Sequence, residues 1–295
     1  MEITATPVLT RDFRWNTTLT WSKNDNKILS LAEGADENQV ISTVGTASII
    51  GRVGGTTGDL WGYKLVRDPE GNVVIGDNGL PEQADEIEYV GTAYADWKAG
   101  WYNEFSYKGF KLGILLDGQV GGTIYSMSFH KMMEQGKLTQ SLNGRLPGTE
   151  FYMSKDDPRI ATDGLSPQDG MYMIAPGVVK NDDGSFSKNT KVVTVESYYK
   201  EYYRMANVET NTFSTDFLKL REMRLEYKLP GSTLKKTPFS KASIAFYARN
   251  LFCITDYPLF DPESAALNGS SMVTGVETGS LPTARTFGLN INLSF

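Results

Sequence analysis

The last eleven residues, RTFGLNINLSF, alternate strictly between apolar and polar side chains. The apolar positions are Phe287, Leu289, Ile291, Leu293 and Phe295, and small or polar residues stand between them. A period of two is that of a β-strand with one face in an apolar medium and the other in a polar one. A half-buried strand of a soluble sandwich has the same pattern, so this stretch alone leaves both water and lipid open.

Comparable alternation elsewhere predicts an all-β chain. The predicted strands lie near residues 2–8, 12–22, 105–116, 123–133, 216–229, 242–252 and 285–295. Between Leu220 and Met223 the alternation changes phase, which predicts a β-bulge in the fifth of these strands. An aromatic content of 12% agrees with a β-rich fold.

The predicted connections alternate between short and long. The short ones cover residues 9–11, 117–122 and 230–241, and the long ones cover 23–104, 134–215 and 253–284. Nothing in the architecture of a soluble sandwich requires every second connection to be long. Outer-membrane barrels, in contrast, combine short periplasmic turns with long extracellular loops. At ~3.3 Å per residue and a tilt of roughly 40°, the terminal strand spans about 20 Å, close to the ~25 Å apolar band of such barrels. We therefore predict an antiparallel transmembrane β-barrel segment.

Composition excludes several classes of function. The net charge of −6 and the lack of a Lys/Arg cluster argue against a nucleic-acid partner. A single cysteine and a single histidine disfavour a metal centre. The glycine-rich stretch GRVGGTTGDLWG lacks the Gly-Lys-Ser/Thr ending of a phosphate-binding loop. We predict no enzymatic activity, no catalytic residues, no metal and no cofactor.

Two residue types that occur once each have simple structural interpretations. His130 lies near the end of the predicted strand 123–133 and is expected at the rim of the barrel. Cys253 is expected to be a small apolar filler.

Seven stretches carry a family resemblance. In chain order they are WNTTLTWSKNDNKILSL, GDLWGYKLVRDPEGNVVIGDNGLP, ADWKAGWYNEFSYKGFKLGILLDGQVGGTIYS, APGVVKNDDGSFSKNT, DFLKLREMRLEYKLP, ARNLFCITDYPLFDPES and PTARTFGLNINLSF. Together they resemble segments of the SusC/RagA family of TonB-linked (TonB-dependent) outer-membrane transporters of Bacteroidota. The resemblance extends from about Trp15 to Phe295, and the shared order of the stretches makes the combination specific.

This resemblance implies a role in nutrient uptake at the outer membrane of a Gram-negative bacterium. Residues 1–295 would supply about seven or eight C-terminal strands of a 22-stranded plugged barrel. The family implies a SusD-like surface lipoprotein as partner, energy from the TonB system, and oligosaccharides or peptides as substrates. The family's signal peptide, TonB box and plug domain have no counterpart in the sequence, so we do not expect transport by this chain alone.

The resemblance also implies roles for particular residues. Phe287, Leu289, Ile291, Leu293 and Phe295 resemble the C-terminal signal read by the outer-membrane assembly machinery. The alternative is that Phe295 lies in the inner aromatic girdle, and the two interpretations are compatible. Aromatic residues expected in the long loops are candidates for contact with substrate or with the lipoprotein: Trp61, Trp97, Trp101, Tyr198, Tyr199, Tyr202, Tyr203 and Tyr257. The alternative for the four clustered tyrosines is packing within their own loop.

Two other interpretations of the whole chain stay open. One is a soluble or surface-exposed β-rich carbohydrate-binding module, with the aromatic residues in its core. The other is a small, self-sufficient barrel acting as an adhesin. Solubility without detergent distinguishes the first of these from a membrane barrel.

Overall fold

The computed structural model describes residues 1–166, 170–259, 261–263, 266–268 and 271–295. The strands, in chain order, are β1 (Glu2–Leu9), β2 (Phe13–Ser22), β3 (Gln39–Val44), β4 (Ala47–Gly51), β5 (Asp59–Gly62), β6 (Glu88–Thr92), β7 (Trp97–Tyr107), β8 (Phe110–Val120), β9 (Thr123–Ser126), β10 (Tyr172–Ile174), β11 (Val178–Lys180), β12 (Phe186–Lys188), β13 (Val192–Thr194), β14 (Thr212–Ser214), β15 (Phe217–Lys228), β16 (Lys241–Ile254), β17 (Ala266–Asn268), β18 (Ser271–Val273), β19 (Val276–Glu277) and β20 (Thr286–Ser294).

The helices are few and short. They are α1 (Met127–Glu134), α2 (Pro158–Thr162), α3 (Val195–Tyr202) and α4 (Gly231–Leu234), with single 3-10 turns at Thr139–Leu142 and Glu209–Asn211. None of the helices in the described ranges is long and apolar enough to cross a membrane.

Seven of the strands form one antiparallel sheet in the order β1-β2-β7-β8-β15-β16-β20. Each of these strands pairs with the next one of the set along the chain, so the sheet is a simple meander. The prediction of a mostly β, antiparallel chain is confirmed. Within the described residues, β1 and β20 form the two edges of this sheet.

Two of the predicted strands are wrong. The stretch 105–116 is interrupted by a tight turn at Lys108 and Gly109, which have φ of 42° and 90°. Two consecutive positive φ angles are those of a hairpin turn that matches the twist of its strands, so the stretch belongs to both β7 and β8. The stretch 123–133 begins as β9 and then becomes α1, because the Ser126 hydroxyl accepts a hydrogen bond from the Phe129 amide and caps the helix.

The connections have correspondingly different bounds. The short ones are residues 10–12, 108–109 and 229–240, and the long ones are 23–96, 121–216 and 255–285. Short and long connections still alternate. The stretch predicted as one strand belongs to two, β7 and β8, and this extra strand replaces the predicted strand 123–133, most of which is α1. All three short connections therefore lie at one end of the sheet and all three long connections at the other.

The predicted bulge is present in β15. Its register with both neighbours shifts between Leu220 and Glu222, which leaves Arg221 as the extra residue. Arg221 bonds to Asp117 on one side, and Glu222 bonds to Arg249 on the other. Because of the bulge, the consecutive charged side chains of Arg221 and Glu222 both lie on the same face of the sheet.

The buried core lies in the long connections rather than in the sheet. One cluster packs α1 against α3 through residues such as Phe129, Met133 and Tyr198. A second cluster surrounds Leu60 and Tyr125, next to the small sheet β3-β4-β5-β6. The long connections consequently pack against one another around shared apolar interiors, which explains how chain segments of this length avoid being structureless.

Candidate functional site

The meander has one apolar face and one polar face. Directly paired residues share a face, and one row across the sheet reads Trp15, Phe105, Leu112, Leu225, Phe246 and Leu289. Large side chains in this row are openly exposed, including Leu225 at 47% and Leu289 at 61%. Soluble monomers rarely expose large apolar side chains in continuous rows, whereas the lipid-facing band of a membrane barrel consists of them.

The terminal strand contributes four of its five predicted residues to this apolar face. Phe287, Leu289, Ile291 and Leu293 are all exposed and pair with Ala248, Phe246, Ile244 and Ala242 of β16. Phe295 lies just beyond β20, is 86% exposed, and places its ring 5.1 Å from that of Phe239. Recognition of this strand by the assembly machinery stays a prediction.

The polar face carries ion pairs that join neighbouring strands. Lys111 of β8 contacts Glu104 of β7 at 3.1 Å, and Arg249 of β16 contacts Glu222 of β15 at 2.7 Å. Because these charges all point away from the apolar face, this side of the sheet suits a water-filled or protein-filled lumen.

A larger ionic cluster fixes the connection 255–285 to the polar face. The Lys219 ammonium lies 2.5 Å from the carboxylates of both Asp261 and Glu263. Arg221 lies 2.6 Å from Glu263 and from Asp117. Sequence reasoning missed this cluster, since each cation is more than forty residues from the carboxylates that it contacts.

Two of the predicted loop tryptophans lie in the sheet instead. Trp97 is the first residue of β7, and Trp101 is 45% exposed on the apolar face. The Trp101 indole N–H donates to the hydroxyl of Thr17 at 2.9 Å. The prediction that they line a loop is wrong, because β7 begins eight residues before the strand predicted at 105–116.

Trp61 does lie in a long connection. It is a half-buried residue of β5, its ring meets Tyr89 edge-on at 6.0 Å, and the Arg52 guanidinium lies 4.9 Å from its centroid. The ring is thus covered on two sides by its own connection.

The four clustered tyrosines lie on and just after α3. Tyr198 and Tyr199 are buried, whereas Tyr202 and Tyr203 are partly buried. The Tyr199 hydroxyl lies 3.1 Å from the carbonyl oxygens of both Gln140 and Asn143. Burial raises the pKa of all four phenols, so they are neutral at physiological pH. The arrangement favours the packing interpretation, while an open groove of about 470 Å³ runs beside these rings.

Tyr257 is 4% exposed and belongs to a buried hydrogen-bond network. Its hydroxyl donates to the Ser126 hydroxyl at 3.1 Å, which donates in turn to Glu277 at 2.6 Å. The Ser128 hydroxyl donates to the other Glu277 oxygen at 2.7 Å. This network joins the connection 255–285 to the start of α1, and no sequence motif indicated the role of the fully buried Glu277.

The expectations for the single histidine and the single cysteine are both wrong. His130 is buried in α1, with Nδ1 2.6 Å from the Tyr203 carbonyl oxygen and Nε2 3.7 Å from the Glu134 carboxylate. Burial lowers its pKa, and the Tyr203 carbonyl only partly opposes this effect. Cys253 is exposed rather than packed as an apolar filler.

The most enclosed cavity described lies between α1 and α3 and measures about 550 Å³. Its lining combines an apolar floor with charges of both signs and includes Met133, Glu134, Arg145, Glu196, Tyr199 and Lys200. Among the described residues, no group of three His, Cys, Asp or Glu side chains could hold a metal ion. The cavity is therefore suited to a small ligand that carries both apolar and charged groups.

No protein-family model matches the chain. It is 24% identical over 316 residues to the TonB-dependent receptor P3 of Formosa agariphila, covering 98% of this chain and 27% of the receptor. It is also 24% identical over 321 residues to the TonB-dependent receptor P26 of the same organism, covering 99% and 28%. The chain thus spans little more than a quarter of the length of these relatives.

Solved structures give the same answer for the fold. A chain of the RagAB peptide importer in its open-open state matches with a TM-score of 0.63 and 17% identity, covering all of this chain and 28% of the other. The RagAB peptide transporter matches with a TM-score of 0.60 and 16% identity. The chain is similar in sequence to TonB-dependent receptors and in fold to a chain of the RagAB importer. The resemblance to TonB-linked outer-membrane transporters that the seven stretches indicated is confirmed, and the curated relatives are named as receptors rather than as enzymes.

Proposed function

We propose that this SusC/RagA-like chain is the C-terminal barrel segment of a TonB-dependent transporter in the outer membrane of a Gram-negative bacterium. The observation that carries the proposal is the two-faced meander, with short turns at one end and folded connections at the other. In this arrangement the apolar face meets lipid, the polar face meets the lumen, and the long connections lie outside the cell. Transport is a property of the longer plugged barrel and not of these residues alone.

The proposed substrates are peptides or oligosaccharides, taken up together with a SusD-like surface lipoprotein and powered by the TonB system. The structurally similar RagAB complex is named a peptide importer, which supports the peptide class. The cavity between α1 and α3 supports it too, because the Arg145 guanidinium and the ion pair of Lys200 with Glu196 lie beside apolar side chains. Trp61 and the tyrosines near α3 lie in the connections that would meet the substrate or the lipoprotein.

The terminal strand is proposed as the signal for the assembly machinery. An edge strand has free backbone groups that another strand can pair with, and Phe295 adds an exposed apolar anchor. We expect Phe295→Ala to lower the amount assembled in the outer membrane, whereas Phe239→Ala removes the partner ring and leaves the terminus intact. If both variants lower assembly equally, the ring pair matters for packing and the signal interpretation fails.

Fractionation of native cells tests the proposed location. An antibody against the terminal GLNINLSF peptide should detect a band in the outer-membrane fraction, and one much larger than 32.7 kDa is expected for a transporter of the relatives' size. A membrane band at 32.7 kDa would favour a small independent barrel. A soluble band of that size would favour the carbohydrate-binding module.

Uptake by living cells tests the substrate class. A strain that lacks the gene should lose uptake of either labelled oligopeptides or labelled oligosaccharides, and the wild-type gene should restore it. Within the cavity, Arg145→Ala should impair uptake more than Lys180→Ala, a change of an exposed lysine on β11. Unimpaired uptake of both substrate classes in the deletion strain would refute the proposed activity.

A further inference from the structure

The short-turn end of the sheet is basic although the chain as a whole is acidic. The whole chain contains 29 Lys and Arg against 35 Asp and Glu. The three turn regions 8–14, 106–111 and 227–242 contain only Asp12 as an acidic residue. Their basic residues are Arg11, Arg14, Lys108, Lys111, Lys228, Lys235, Lys236 and Lys241.

Most of these cations have no carboxylate partner. Lys111 pairs with Glu104, but within the described part of the chain none of the other seven forms a salt bridge. Arg14 donates to the Asn16 amide oxygen, and the Lys108 ammonium lies 5.2 Å from the ring centroid of Tyr107. Their charge is therefore available to an external anion.

Five of the cations surround a defined cavity of about 340 Å³. It is lined by Arg11, Arg14, Lys108, Lys111 and Lys228, by the single carboxylate of Asp12, and by other residues of the turns that bear them. Backbone hydrogen bonds hold neighbouring turns together, from the Lys108 amide to the Asp12 carbonyl at 3.4 Å and from the Lys228 amide to the Gly109 carbonyl at 2.9 Å. The cations are thus gathered by the fold and not only by the sequence.

An aromatic row lies beside this basic cavity, at the end of the apolar face. The row runs through Phe13, Tyr107, Phe110 and Tyr227, which are paired across four strands. Tyr107 and Phe110 are each 50% exposed, and the rings of Phe110 and Tyr227 are 4.5 Å apart. Aromatic rings in this position are typical of the boundary between lipid tails and headgroups.

We propose that this cavity binds the phosphate of an anionic phospholipid headgroup in the leaflet next to the short turns. The inference rests on the proposed function, because it requires the apolar face to lie in a bilayer. Clustered Lys and Arg beside a membrane boundary attract anionic headgroups. The phosphate would lie among Arg11, Lys108 and Lys228, and the acyl chains would follow the apolar face past the aromatic row. This continuity with the lipid-facing surface favours a lipid over a free anion or an acidic protein segment.

Native mass spectrometry of the protein purified from outer membranes in detergent tests the proposal. The probes are phosphatidylglycerol, phosphatidylethanolamine and inorganic phosphate, each added at the same concentration. The wild type should retain phosphatidylglycerol in preference to phosphatidylethanolamine. The triple variant Arg11→Gln/Lys108→Gln/Lys228→Gln should lose roughly tenfold or more of that retention, as expected for three headgroup charges. The matched control Lys137→Gln/Lys180→Gln/Lys188→Gln changes three exposed lysines of the long connections and should bind like the wild type.

Several outcomes would overturn the assignment. Equal retention of phosphatidylglycerol by the wild type and the triple variant would show that the basic cavity does not hold it, as expected if an acidic protein segment is the natural occupant. If the control variant loses as much phosphatidylglycerol as the triple variant does, net charge alone explains the retention. If the protein binds inorganic phosphate in place of the lipid, the cavity is a site for free anions. Failure of the proposed function would give a different result, because the protein would then be missing from the outer-membrane fraction of the cells.

Discussion

The ammonium group of Lys219 on β15 lies 2.5 Å from the carboxylate of Asp261, a residue of the connection between β16 and β20. Lys219 is only 3% exposed. Burial by itself raises the pKa of Asp261, but hydrogen bonds from Lys219 and Thr283 outweigh it and hold the pKa below its ordinary value. Asp261 is therefore ionised at neutral pH, and the ion pair fixes the connection to the polar face of the sheet.

Removing Lys219 should release this connection. Lys219→Met leaves the Asp261 carboxylate partly buried without its main partner, and loss of one member of a buried pair costs roughly 3–5 kcal/mol. We expect faster amide hydrogen exchange in peptides from residues 271–285. The control is Arg249→Gln, which breaks a more exposed pair with Glu222 and should cost about 0–1 kcal/mol. Equal exchange in the two variants would show that the buried pair does not hold the connection.

The buried imidazole of His130 should make the packing of α1 against α3 sensitive to pH. Burial lowers the His130 pKa below 6.5, and the charge of Lys131 lowers it slightly further. The hydrogen bond with the Tyr203 carbonyl and the charge of Glu134 raise the pKa but do not outweigh burial. The unfolded chain takes up the proton near pH 6.5 and the folded chain only at lower pH. The stabilisation is thus complete above pH 6.5 and is lost as the pH falls below it.

Limited proteolysis within residues 127–203 measures this effect. Cleavage of the wild type should accelerate as the pH is lowered from 7.5 to 5.5. His130→Gln should be cleaved faster at pH 7.5 than the wild type, with little further change at pH 5.5. If His130→Gln keeps the full pH dependence of cleavage, another titratable group causes that dependence, and Glu134 is the nearest one.

The hydroxyl of Tyr199 should act in packing rather than in ligand contact, although the Tyr199 ring lines the cavity between α1 and α3. Tyr199→Phe removes the hydroxyl that lies between the carbonyl oxygens of Gln140 and Asn143, at a cost of about 0.5–1.5 kcal/mol. Tyr202→Phe is the control, because no hydrogen bond to its hydroxyl occurs within the described ranges. We expect Tyr199→Phe to raise protease sensitivity near residues 136–151 without changing substrate uptake. Impaired uptake at unchanged protease sensitivity would instead indicate a direct ligand contact.

Strict local alternation is what made parts of the sheet predictable. The strands predicted at 12–22, 216–229 and 285–295 correspond to β2 (Phe13–Ser22), β15 (Phe217–Lys228) and β20 (Thr286–Ser294) within a residue or two at each end. One face of each of these strands is apolar and the other is polar, so the alternation is unbroken in β2 and β20 and is broken in β15 only at the bulge.

The hairpin between β7 and β8 was missed although a signal for it exists. Trp101, Phe105 and Tyr107 lie at odd positions, whereas Phe110, Leu112, Ile114 and Leu116 lie at even positions, and this change of phase marks the turn. The Lys108-Gly109 pair lacks the Asn-Gly or Asp-Gly signature that usually identifies such a turn. The contact of Lys219 with Asp261 had no signal at all, because it depends on how a long connection folds back over the sheet.

The orientation of the sheet in the membrane can be tested with two adjacent residues of β20. Ile291 is 61% exposed on the apolar face opposite Ile244, whereas Asn292 lies on the polar face opposite Ser243. A lysine on the lipid face costs roughly 2–4 kcal/mol near the middle of the bilayer, whereas a lumen position tolerates it. We expect Ile291→Lys to lower the amount of assembled protein in the outer-membrane fraction and Asn292→Lys to leave it near the wild-type level. If both variants assemble equally well, the apolar face does not meet lipid, and the exposed side chains of β20 must be covered by protein, as a soluble β-rich module would require.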